Sequence, residues 1–148
     1  MNIVLSNPIL EIEAQMKQLP QCETMKVEHI FNGGMYIRKV WREAGTIIVG
    51  KVHKEPHFFM CMVGAIQVLH NDTVVTLYPG DVVCSQPGTK RITIALIDSI
   101  GATIHKTELT DLNEIEKELI EEDETAMYNA SGELKNLQLT EQKIKELI

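Results

Sequence analysis

Several common assignments are closed to this chain by what it lacks. Its three cysteines, Cys22, Cys61 and Cys84, are odd in number, far apart and without a C-x-x-C pair. A disulfide framework or a thiolate zinc site is therefore not expected, and a reducing, cytoplasmic compartment is. No apolar run approaches the roughly 20 residues needed to cross a bilayer, so no membrane partner is expected. Residues 1–15 lack a basic segment followed by an apolar one, so no secretion signal is expected. There is no cationic excess: 14 Lys and Arg stand against 21 Asp and Glu, a formal net charge of -7. A nucleic-acid polymer needs a broad basic face and is not the expected partner. Repeats and low-complexity tracts are also missing. What is present is ordinary for a globular protein, with 44% apolar and 24% charged residues in 148. One domain of that length buries a core without staples.

Three zones follow one another. Asn7 caps a predicted helix over 7–19, with Pro8 as its first residue, Ile9, Ile12, Met16 and Leu19 on one face, and Pro20 as its stop. Residues 24–109 read as short strands. Turn chemistry recurs about every ten residues, at Asn32-Gly33-Gly34, Gly45, Asn71-Asp72, Pro79-Gly80-Asp81 and Gln86-Pro87-Gly88. Between the turns lie the predicted strands 46–52, 58–69, 74–78, 92–97 and 102–104. Regular spacing without helical interruption predicts a sandwich or small barrel, a mostly β fold. Residues 110–148 are predicted to form a helical extension. Asp111 and Glu114 have capping-box spacing before the stripe Leu112, Ile115, Leu119 and Ile120, and Leu139, Ile144, Leu147 and Ile148 suggest a short terminal helix.

Against the acidic background two basic clusters stand out, Lys51-Val52-His53-Lys54-Glu55-Pro56-His57 and Pro87-Gly88-Thr89-Lys90-Arg91. Gathered cations of this kind suggest a site for an anion or a metal. Gly45-(x5)-Lys51-Val52-His53-(x3)-His57-(x6)-Gly64 and Gly80-(x5)-Gln86-Pro87-Gly88-(x2)-Arg91 carry the glycine and ligand spacing of two paired motifs. In that spacing, over about residues 45–100, the chain resembles the cupin superfamily. The resemblance implies a jelly-roll barrel, often paired into homo-oligomers. The stretches Val49-Gly50-Lys51-x-His53-Lys54-x-Pro56-His57 and Ser85-x-Pro87-Gly88-Thr89-Lys90-Arg91 further resemble small cupin-fold proteins encoded by bacteriophages.

A metal-loaded cupin places His, His, Glu and His where this chain has Lys51, His53, His57 and Arg91. The resemblance thus leaves two imidazoles and two cations, and zinc or iron generally needs three protein ligands. No cofactor is expected, and a divalent metal is disfavoured; if one is held, His53 and His57 hold it. The same residues suit an anion, with Arg91 as a planar fork, Lys51 as a point charge and the histidines as tunable donors. Strand alternation predicts that Ile47, Val49, Lys51 and His53 share a face. By the same rule His57, Phe59, Cys61 and Val63 point into the barrel, and Arg91 and Thr93 enter from the strand after the second motif. The expected ligand pocket is Lys51, His53, His57, Arg91, Lys90 and Phe59, cations at the mouth over apolar walls.

Plainer readings compete residue by residue. His53 and His57 are not an H-E-x-x-H metalloprotease pair, since Glu55 is one place late and Pro56 breaks a helix. Lys90 and Arg91 also fit a solvated turn, and Lys54 an exposed loop. Cys61 reads as a small buried hydrophobe. His29, His70 and His105 lie outside the motif spacing, with one of them a possible third metal ligand. Three functions remain open: a non-enzymatic barrel holding a small anionic ligand, with a nucleotide-type host signal as candidate; a cupin enzyme, either metal-dependent or epimerase-like with a histidine base; and a structural virion or assembly protein.

Overall fold

Alternating apolar and polar residues, cut by turns, build nine strands, and a computed structural model describes them over residues 18, 20–21, 25–70, 73–121 and 130. They are β1 (Val27–Asn32), β2 (Met35–Arg42), β3 (Ile47–Val49), β4 (His57–Val63), β5 (Ile66–His70), β6 (Thr73–Leu77), β7 (Val82–Ser85), β8 (Ile92–Ala95) and β9 (Ser99–Lys106). Among the described residues one helix, α1 (Leu112–Leu119), follows. The helices predicted over 7–19 and near the C-terminus, and the Asn71-Asp72 turn, lie outside the described residues, residue 18 apart.

The sheets run β1-β2-β9-β4-β7 and β3-β8-β5-β6, every pairing antiparallel. Chain order alternates between them everywhere except in the β1–β2 and β5–β6 hairpins, so β2 to β9 form the eight-stranded jelly roll. The mostly β barrel expected from the turn spacing is the observed one. Phe59, Cys61, Ile66, Val68 and Leu77 form the core between the sheets, joined by Val83. A second cluster seats α1: Ile115 and Leu119 pack on Tyr36, flanked by Phe31, Leu109, Leu112 and Ile120. Asp111 caps this helix as expected, its carboxylate accepting from Asn113 N and Glu114 N at 3.0 and 3.1 Å.

Several boundaries differ from expectation: the predicted strand 92–97 ends at Ala95, and 102–104 extends to Ser99–Lys106. The run 58–69 is two strands, because Gly64 turns at φ +85 and a side chain there would strike Ser99. The β4–β9 register slips between Cys61 and Val63, so Val63 is exposed rather than interior. The run 46–52 keeps only Ile47–Val49. Gly50 N still donates to Arg91 O at 2.8 Å, after which the chain leaves the ladder, and the alternation rule no longer reaches Lys51 or His53.

Candidate functional site

His57 opens β4 pointing inward, in step with Phe59 and Cys61. His105 lies near the end of β9, one residue past the Phe58–Ile104 pair, so the β4–β9 ladder brings it to the same side as His57. His53 comes from the irregular 50–56 segment, which is held from two directions. Its carbonyl accepts from Gly88 N at 2.9 Å, Lys54 N donates to Leu119 O at 2.7 Å, and Glu121 N donates to Val52 O at 2.9 Å. His53 also forms an isolated bridge with Ile120. The helix end and the β7–β8 turn thus fix a ring that no strand carries.

The three imidazoles converge. One ring nitrogen from each of His53, His57 and His105 lies within 4.8 Å of the others. His53 and His57 stack at 3.9 Å between centroids, and His105 stands 5.1 and 5.3 Å from them. Tyr36 stacks on His105 at 5.5 Å and shares a 2.6 Å hydrogen bond with His29. Backbone carbonyls set two tautomers: Nδ1 of His53 donates to Lys51 O at 3.0 Å and Nδ1 of His57 to Glu55 O at 3.1 Å. A carbonyl only accepts, so Nδ1 carries the proton and Nε2 the lone pair. Burial, followed by the neighbouring histidines, holds His53 down to about 2. Burial, then His57, holds His105 down to about 3, and His57 is lowered chiefly by burial. All three rings are therefore neutral at pH 7.

Arg91 is buried beside them. Its Nη2 donates to His57 Nε2 at 3.1 Å and its Nη1 to the buried Ser85 hydroxyl. Phe59 lies beneath it, with the guanidinium carbon 5.0 Å from the ring centroid. A second guanidinium, Arg42, stands 5.4 Å from the same ring and donates from Nη1 to Thr93 Oγ1 at 2.6 Å. Desolvation holds both arginines down to about 10, which leaves them charged at neutral pH.

The expected pocket residues separate. His53, His57, Arg91 and Phe59 come together. Lys51 does not stand with the imidazoles: its ammonium pairs with Glu116 of α1. The cation expected at the mouth, Arg91, is instead buried with only 9% exposure. Lys90 is half-buried in the β7–β8 connection. Lys54 is exposed, its ammonium donating to Lys117 O at 2.8 Å near the helix C-terminus. Two residues enter that spacing alone did not select. His105 is one of the three histidines outside the motif spacing, and Arg42 lies outside both motifs. The available signal for Arg42 was parity, since it shares the inward face of β2 with Tyr36 and Val40, where a charge is out of place.

The donor set suits a divalent transition metal. Three neutral imidazoles offer lone pairs, and two have their second nitrogen fixed by a carbonyl. The ring nitrogens lie within 4.8 Å of one another, wider than the ~4.2 Å that two metal–nitrogen bonds of about 2.1 Å span, so the rings would draw together on an ion. A third imidazole joins the two expected ones and Lys51 pairs with Glu116, while Arg91 stays beside the set and donates to His57 Nε2.

No protein-family model matches the chain, and no curated protein does. Solved structures do. KdgF from Halomonas sp. aligns with a TM-score of 0.53 at 16% identity, over 63% of this chain and 87% of that one. An RmlC-like cupin from Shewanella frigidimarina NCIMB 400 aligns with a TM-score of 0.51 at 17% identity, over 60% and 80%. At such identities the likeness concerns architecture alone: the barrel has the cupin-type jelly-roll fold. Among the described residues no helix is long and apolar enough to cross a membrane.

Proposed function

We propose that the protein is a small-molecule-binding cupin barrel whose site is a divalent-metal centre held by His53, His57 and His105. The convergence of three neutral imidazoles carries this reading. Bound there, a metal supplies Lewis acidity and a docking point for a ligand oxygen or nitrogen. The protein supplies the three nitrogens, the carbonyls that orient two of them, and a wall formed by Phe59 and the Tyr36–His105 stack. A metal-free base role is disfavoured for His53 and His105, since a base held near 2 or 3 is too weak to take a proton at neutral pH; His57 is lowered in the same direction.

Elemental analysis of protein purified without chelator tests the proposal. Close to one transition-metal ion per chain is expected in the wild type, with most of it lost in His105→Ala and His53→Ala. A wild-type chain that takes up none of zinc, manganese, iron or nickel when offered them overturns it. The phage-protein resemblance adds a narrower candidate, a nucleotide-type signal. Calorimetry against a nucleotide panel checks that class, and no heat from any member removes it.

A further inference from the structure

The second feature of the barrel interior is a charge imbalance. Arg42 is 8% exposed and Arg91 9%, and both flank the Phe59 ring. Their side-chain partners are neutral: Thr93 for Arg42, and Ser85 and His57 for Arg91. Among the described residues no carboxylate pairs with either; Glu116 is taken by Lys51, and Glu28 lies near Lys39. Cys61 offers no thiolate, because burial pushes its thiol up and its Sγ donates to Val63 O at 3.4 Å. The Nε of Arg42 is buried without any hydrogen-bond partner. Buried guanidinium groups are normally paired, since an uncompensated charge in the interior is heavily disfavoured. The packing is close: a side chain at Gly101 would meet Arg42 Nη2 and Phe59 Cζ at 3.0 Å.

We propose that Arg42 and Arg91 form an oxyanion site in the barrel, taking a carboxylate or phosphate group of a small organic ligand. This rests on the reading of the barrel as a small-molecule site and specifies what that molecule must carry, but it does not require the metal. The guanidinium fork is the side chain best matched to such oxygens. Arg42 has an unused Nε–H, and Arg91 can exchange its bond to His57 for one to the anion. A metal at the histidines adds positive charge next to this pair and strengthens the demand for a negative ligand.

Calorimetry and thermal unfolding with inorganic phosphate and with malonate, on metal-free and metal-loaded protein, test the site and separate the two anion chemistries. At least one anion is expected to bind the metal-free wild type and raise its Tm, and to bind at least tenfold more weakly to Arg42→Lys and Arg91→Met. The Nε–H resonance of Arg42 in the wild type, which needs no variant, is expected to shift on addition of that anion. Binding of neither anion by metal-free protein overturns the proposal, as does binding that is unchanged in both variants or that leaves the Arg42 resonance in place. Metal content read on the same samples keeps the outcomes distinct: anion binding without metal uptake sinks the three-histidine centre and leaves this site standing, and the converse does the opposite.

Discussion

At the scale of single residues, His57 Nε2 has two claimants. Arg91 Nη2 donates to it at 3.1 Å, and it belongs to the three-histidine set. A cation already lying on a ligand nitrogen competes with a metal both for the lone pair and by repulsion. Arg91→Met is therefore expected to bind metal more tightly in the absence of anions, by roughly tenfold if about 1.4 kcal/mol of competition is relieved; competition with a chromogenic chelator checks it. His105→Ala, which removes a ligand outright, should weaken metal binding by more than the roughly 10–100-fold seen for supporting residues. His53, His57 and Arg91 were legible because glycines and prolines fix their spacing along the chain. His105 and Arg42 were not, because their neighbours are set by the β4–β9 and β2–β9 registers, which a single sequence does not encode locally.

Elements were legible where their signals are local. Asp111 and the stripe Leu112, Ile115, Leu119 and Ile120 announce α1, whose last helical residue is Leu119 with Ile120 as its C-cap, and the Asp111 cap bonds are present. Asp111→Ala is accordingly expected to cost about 1 kcal/mol in a urea melt, as N-cap losses do. The strand-rich zone was legible from its turns. Its interruptions were less so, because the Cys61–Val63 bulge and the turn at Gly64 arise where the chain meets Ser99 on a distant strand. The shortened β3 had the largest consequence. Once the chain leaves the ladder at Gly50, Lys51 follows the helix to Glu116 while His53 turns to the other imidazoles. Extending a period-two pattern past the end of a strand placed the two side chains together, and they part.

For the whole molecule, the buried histidines make stability depend on pH with a definite sign. His53, His57 and His105 all titrate below their ordinary value of 6.5 in the folded state. As pH falls below 6.5 the unfolded chain takes up protons that the native one refuses, so metal-free protein loses stability on acidification and is unaffected by these groups above about pH 7. The slope is at most about 1.4 kcal/mol per pH unit for each histidine, and denaturant midpoints between pH 7 and pH 5 read it before carboxylates contribute. Bound metal should steepen the fall, because protons then also compete for the ligand nitrogens. The segment carrying His53 adds a further dependence. Its backbone hangs between the last turn of α1 and Gly88, so any fluctuation that lifts the helix off the barrel would slacken the hold on the His53 ring while the strands stay intact. If the proposed centre holds an ion, its dwell time would then track how firmly Ile115 and Leu119 stay seated rather than global unfolding.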